Sequence, residues 1–142
     1  MRVVKKVLGA VAKVRSPFSG GDRNDPYAAF ESGDYALAVA GFTARLKKKK
    51  KDALAMHHMG WLSENGHVDE ATAETAKDWY SKAAENGHHL SALALSDLCY
   101  TLGEFKEAFD WADYAIAKEV PGAKAARDRA YRAAGMNLQW WR

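Results

Sequence analysis

The sequence predicts an all-α fold, a short α-solenoid of about three helix-turn-helix repeats, and three observations carry that prediction. The first is a recurring pattern of glycine, short spacer, alanine and aromatic helix. It runs through Gly33-Asp34-Tyr35 with Ala38 and Phe42, then Gly66 with Ala76, Trp79, Tyr80, Ala83 and Ala84, then Gly103-Glu104-Phe105 with Ala108, Trp111, Ala112 and Ala115. The second is spacing. The alanine-to-alanine steps are 38 (76 minus 38) and 32 (108 minus 76), and both straddle the roughly 34-residue period of helix-turn-helix arrays. The third is composition, because many alanines and only three prolines favour helix over strand. At 142 residues, 48% hydrophobic and 27% charged, the chain suits one globular domain that needs no staples.

Taken in order, residues 1–23 read as a basic amphipathic arm and linker. Val3, Val4, Val7, Leu8, Val11 and Val14 fall on one side of a helix, with Lys5, Lys6 and Lys13 largely opposite. Six basic residues against Asp22 give this arm +5, so the rest of the chain sums to −2 within a net charge of +3. The basicity belongs to the arm, and no nucleic-acid-binding body is expected. The apolar run Val7 to Ala12 is too short for a secretory h-region, and no run approaches the ~18 apolar residues of a membrane span.

Residues 24–135 read as the repeat domain. Asp25 and Pro26 suit an N-cap and first helical position, opening a two-turn helix to Ser32. Gly33, Gly66 and Gly103 supply the left-handed turn that ends each first helix. The first helices run Ala53 to Asn65, with Leu54, Ala55, Met59 and Leu62 on one stripe, and Leu90 to Leu102, with Leu90, Leu93, Ala94, Leu98 and Leu102. The middle copy carries a polar insertion at His67 to Thr72. After Pro121-Gly122, Ala123 to Ala134 forms a basic capping helix ended by Gly135, and residues 136–142 are a tail holding Trp140 and Trp141. The tail either folds back over the last repeat or reaches a partner.

The middle copy resembles the Sel-one-like repeat family, a relative of tetratricopeptide repeats. Ala55-Met-His-His-Met59-Gly60-Trp61-Leu-Ser-Glu-Asn65-Gly66 and Ala76-Lys-Asp-Trp79-Tyr80-Ser-Lys-Ala83-Ala84-Glu-Asn-Gly87 carry the likeness. The outer copies look more like tetratricopeptide repeats, and the first departs by placing Arg45 where the second has Ala83. The resemblance implies a curved scaffold of bacterial type whose first helices line a concave surface that takes a protein or peptide. It carries no catalytic residues and no cofactor.

Chemistry by other routes finds little support. The single Cys99 reads as a small core residue in a reducing, cytoplasmic compartment. His57 and His58 diverge by about 100° on a helix and do not chelate one ion, and no histidine spacing matches a zinc motif. No phosphate loop, dinucleotide fingerprint or nucleophile elbow is present. No enzyme, metal or cofactor is therefore expected. The run Lys47 to Lys51 reads first as a solvated helix end, with an acidic-partner or nucleic-acid contact as the alternative.

The expected binding face comprises His57, His58, Trp61, Asn65, Leu95, Asp97 and Tyr100. Aligning Met59-Gly60 with Leu98-Cys99 makes Trp61 and Tyr100 a ladder of aromatics on neighbouring first helices. For the arm, Val4, Lys5, Lys6, Leu8 and Lys13 are the contacts, with three readings open: a cap on the first repeat, a partner-ordered helix, or docking on an anionic membrane surface. The last makes the chain a membrane-peripheral recruitment factor.

Overall fold

The computed structural model describes residues 25–135, and every regular element among them is an α-helix. In order these are α1 (Pro26–Glu31), α2 (Tyr35–Lys48), α3 (Ala53–Glu64), α4 (Ala73–Glu85), α5 (Leu90–Thr101), α6 (Phe105–Ala117) and α7 (Ala123–Ala133). Consecutive helices pack against one another along the chain, and α5 also touches α7. None of these helices is long and apolar enough to cross a membrane. The arm residues Val4, Lys5, Lys6, Leu8 and Lys13, and the pair Trp140 and Trp141, lie outside the described residues.

Local chemistry sets the boundaries. Asp25, Asp34 and Asp52 each accept a first-turn backbone N–H of α1, α2 and α3, and Thr72 forms a reciprocal capping box with Thr75 at α4. Pro26 occupies the first turn of α1, where its missing N–H costs nothing. The glycine turns share one hydrogen-bond pattern. The amides of Asp34, His67 and Glu104 donate to the carbonyls of Ala29, Leu62 and Cys99 at 2.9 Å, which requires positive φ at Gly33, Gly66 and Gly103. Glu119 takes the same backbone conformation at the end of α6, with φ 60°.

The recurring alanines are packing positions: Ala38, Ala76 and Ala108 are all fully buried. Small side chains there let neighbouring helices approach closely. Gly60 serves the same end, since a methyl group on it would meet the Tyr80 ring at 2.7 Å. Tyr80 is fully buried, whereas Trp79 and Trp111 are half-buried at the edges of the core clusters.

Two sequence expectations are corrected. Leu54, Leu90 and Leu102 are exposed, Leu90 by 52%, instead of lying on the inward stripe. In α5 the inward face is Ser91, Ala92, Leu95, Ser96, Leu98 and Cys99. The hydroxyls permit that rotation because each finds a partner. Ser96 donates to the Ala108 carbonyl at 2.7 Å, and Ser91 sits between two histidines. Arg45, out of pattern by sequence, is accommodated by pairing with Asp52 while its guanidinium lies over the Tyr27 ring at 5.6 Å.

Candidate functional site

A row of contacts links α1, α3, α5 and α7, the first helices of the predicted pairs and the capping helix. Between α1 and α3, Phe30 meets Trp61 edge-on at 4.9 Å, and His58 nests among Tyr27, Phe30 and Phe42 at 4.7–5.2 Å. Between α3 and α5, His57 Nδ1 lies 2.7 Å from Ser91 Oγ. Between α5 and α7, Arg129 bonds Asp97 at 2.6 Å and stacks over the Tyr100 ring at 4.2 Å. Edge-to-face rings and a guanidinium over an aromatic face are the geometries that favour such pairs.

The seven expected face residues separate into groups. Trp61 is half-buried, edge-on to Phe30, tilted against Tyr35 and stacked with His67. Asn65 is exposed and folds back onto the Trp61 carbonyl. His57 and His58 turn to opposite neighbours, as their helical phase requires. Leu95 is a correction. It is only 1% exposed, inside the cluster with Tyr80, Cys99 and Ala108, because α5 turns its serine-bearing face inward. It belongs to the core and not to a surface.

The aromatic ladder is also corrected. Gly66 to Gly103, the matched turn glycines, is a step of 37 (103 minus 66). That register aligns Trp61 with Leu98 and Tyr100 with Ser63, so Trp61 and Tyr100 occupy different helical positions. Tyr100 instead pairs with Phe105 at 5.5 Å, just as Phe30 pairs with Tyr35 at 5.7 Å in the first helix pair.

Asp97 and Tyr100 do come together, with a group sequence reasoning missed. Tyr100, Ala125, Asp128, Arg129, Arg132 and Ala133 line an open cleft of about 540 Å³ between α5 and α7. It offers an aromatic ring, two guanidiniums and one carboxylate, with Asp97 bonded to Arg129 beside it. Such a set can hold an extended peptide by stacking and charge-assisted hydrogen bonds. The signal was present in the sequence as Arg129 and Arg132, three apart and so on one face of the last helix.

Two buried polar groups have no counterpart in the sequence reading. Lys77, 8% exposed, reaches Glu104 at 2.9 Å, Glu107 at 3.0 Å and Glu74 at 3.6 Å, tying α4 to α6. Burial opposes its charge, but the carboxylates outweigh that and hold the ammonium above its usual range. The second is a bridge in which His57 and His88 each place Nδ1 2.7 Å from the fully buried Ser91 oxygen, their rings 4.6 Å apart. One neutral ring donates to Ser91 Oγ while the hydroxyl donates to the other, which satisfies all three groups.

Neither arrangement is poised for nucleophilic chemistry. Ser91 is fully enclosed, and burial, then the Glu107 charge, push the Cys99 thiol up to about 12. Among the described residues no three metal-ligating side chains converge. No protein-family model matches the chain, and no curated protein matches its sequence.

The histidine bridge predicts a pH response. Burial first, then the charges of His88 and His58, lower His57 from its ordinary 6.5 to about 4. His88 is lowered too, chiefly by burial. A histidine depressed on folding contributes stability that is complete above its unfolded pKa and lost as pH falls toward the folded one. Between about pH 7.5 and 5.5, above the carboxylate range, stability should drop by about 1 kcal/mol, allowing for partial solvent screening. Urea midpoints at the two pH values check this, and His57→Gln should flatten the difference. An equal midpoint for the unaltered chain would mean the bridge carries no proton-linked stability.

Proposed function

We propose that this protein is a short helical-repeat solenoid, akin to Sel-one-like and tetratricopeptide repeats, that acts as a protein-interaction scaffold and performs no catalysis. Its partner is a peptide or protein held on the face formed by the first helices. The observation that carries this reading is the contact row through α1, α3, α5 and α7, which leaves Tyr100, Arg129 and Arg132 lining an open cleft, with Asp97 bonded to Arg129. Stacked helix pairs expose one continuous surface in this way, and aromatic and arginine side chains are the types that dominate binding surfaces.

Within that face the residues divide the work. Tyr100, half-buried beneath Arg129, supplies a rigid ring whose orientation is already fixed. Pre-ordering of this kind reduces the entropy lost on binding. Trp61 and His58, enclosed by the aromatic side chains of α1 and α2, set the spacing between the first two pairs and support the face from behind.

A displayed random-peptide library selected on the full chain tests the proposal. Recovered peptides should lose at least tenfold in affinity against Tyr100→Ala and against Arg129→Gln, each worth about 1.4 kcal/mol or more. Both side chains are partly exposed, so the fold should survive. Peptides that bind these variants as tightly as the parent would remove the face from consideration.

A further inference from the structure

The run Lys47 to Lys51 lies at one end of the fold and outside the peptide face. Its first two residues close α2, Lys49 is the C-cap, and the rest form the turn into α3. All five are exposed, and none is in an ion pair among the described residues. Arg45 alone takes the adjacent carboxylate, Asp52. Arg45, Lys48 to Lys51 and Asp52 surround a shallow depression of about 580 Å³.

Capping does not account for this run. The last turn of α2 already contains Arg45, Lys47 and Lys48, and favourable charge–dipole interaction is confined to that turn. Three further ammonium groups beyond it repel one another and lower stability. Their position gives them a second meaning. Arg45 lies over Tyr27, whose N–H is held by Asp25, so the end of α2 stands beside the start of α1. Residues 52–135 carry eight basic against fourteen acidic side chains, a net −6. The lysine run is therefore a positive patch beside the acidic stretch of residues 52–122, with Lys124, Arg127, Arg129 and Arg132 of α7 forming a separate basic region. Leu54, 43% exposed, follows the lysines at the start of α3.

We propose that this end, Lys47 to Lys51 with Leu54 beside them, docks on an anionic lipid surface. The cluster is made of lysines, compact point charges suited to a diffuse layer of anionic headgroups, and not of arginines that grip one phosphate or carboxylate in a fork. A nucleic acid fits less well. No aromatic side chain lies between Phe42 and Trp61 to stack a base, and a duplex running past the end would meet the acidic stretch. A membrane meets the end alone. The surface is separate from the α5–α7 cleft, so lipid docking and peptide capture stand or fall independently.

The test is sedimentation of the full chain with phosphatidylcholine vesicles that contain or lack phosphatidylserine. Binding should require the anionic lipid, weaken with added salt, and fall about fivefold for each lysine neutralised, so about 25-fold for Lys48→Gln with Lys50→Gln. Unchanged helicity by circular dichroism confirms that these exposed changes leave the fold intact. The proposal is overturned if the double variant partitions like the parent, if neutral vesicles bind equally, or if neither vesicle binds. It is equally overturned if duplex DNA competes for the lysines while lipid does not.

Discussion

Replacing Gly60 with valine should cost about 3 kcal/mol through overpacking. A Cβ at this position would sit 2.7 Å from Tyr80 Cδ1 and 2.8 Å from Cε1, well inside contact distance. The ring cannot retreat easily. Tyr80 is 1% exposed, and its hydroxyl donates to Glu64 Oε2 at 2.6 Å, fixing both ends of the side chain. Burial and that carboxylate also push its phenol well above the usual range, so it stays a donor at any working pH. Against the clash, removing a helical glycine returns only about 1 kcal/mol at best, and less for a β-branched residue. Chemical denaturation of Gly60→Val, alone and combined with Tyr80→Ala, measures the balance. The penalty should largely vanish in the double variant, because the cavity left by Tyr80 accepts the new methyls. Additive effects would mean that Gly60 is needed for some reason other than this ring.

The three buried alanines were legible from sequence because they recur at about the repeat period within strongly periodic helices. The glycine turns and the Asp25 cap were legible on similar grounds, since each requires a particular backbone geometry or side-chain acceptor, whereas the caps at Asp34 and Asp52 emerge only from the structure. The inward face of α5 was not. Leucines at 90, 93, 98 and 102 form one regular stripe, yet Ser91, Leu95, Leu98 and Cys99 form another, and the second is buried. Hydrophobicity ranks serine as a surface residue. What decides between the stripes is whether its hydroxyl meets a partner, and His57, His88 and the Ala108 carbonyl come from outside α5. Partner supply is a tertiary fact, invisible to periodicity.

The same limit applies to the face residues. Asp97 and Tyr100 were named from the sequence, but Arg129 joins them only through the packing of α7 on α5. Leu95 was misplaced along with its helix. The ladder failed because repeats were aligned on similar residue types across positions 59–60 and 98–99, whereas the turn hydrogen bonds align them by backbone geometry. The turn glycines, already recognised, would have given the right register.

Lys77→Met should destabilise the fold by about 2 kcal/mol near neutral pH, and the loss should shrink on acidification. Methionine keeps a buried apolar stem of similar length but removes the ammonium that Glu104, Glu107 and Glu74 surround. Those carboxylates, about 40% exposed at Glu104 and Glu107, would then face one another unpaired, so water softens a cost that would be greater in a sealed core. In the unaltered chain Lys77, then Glu107, hold Glu104 below its ordinary range, whereas burial raises Glu107 against the pull of Lys77. Without Lys77, mutual repulsion raises the carboxyls above their unfolded values. Groups raised on folding take up protons as the pH falls, so the variant regains stability through that range while the parent loses the benefit of its depressed Glu104. The histidine contribution is common to both chains and cancels in their difference. Paired urea curves at neutral pH and near pH 5 should therefore converge. A penalty independent of pH and salt would assign the role of Lys77 to its methylenes, and a stabilised variant would show that the ion cluster costs more to desolvate than its pairing returns.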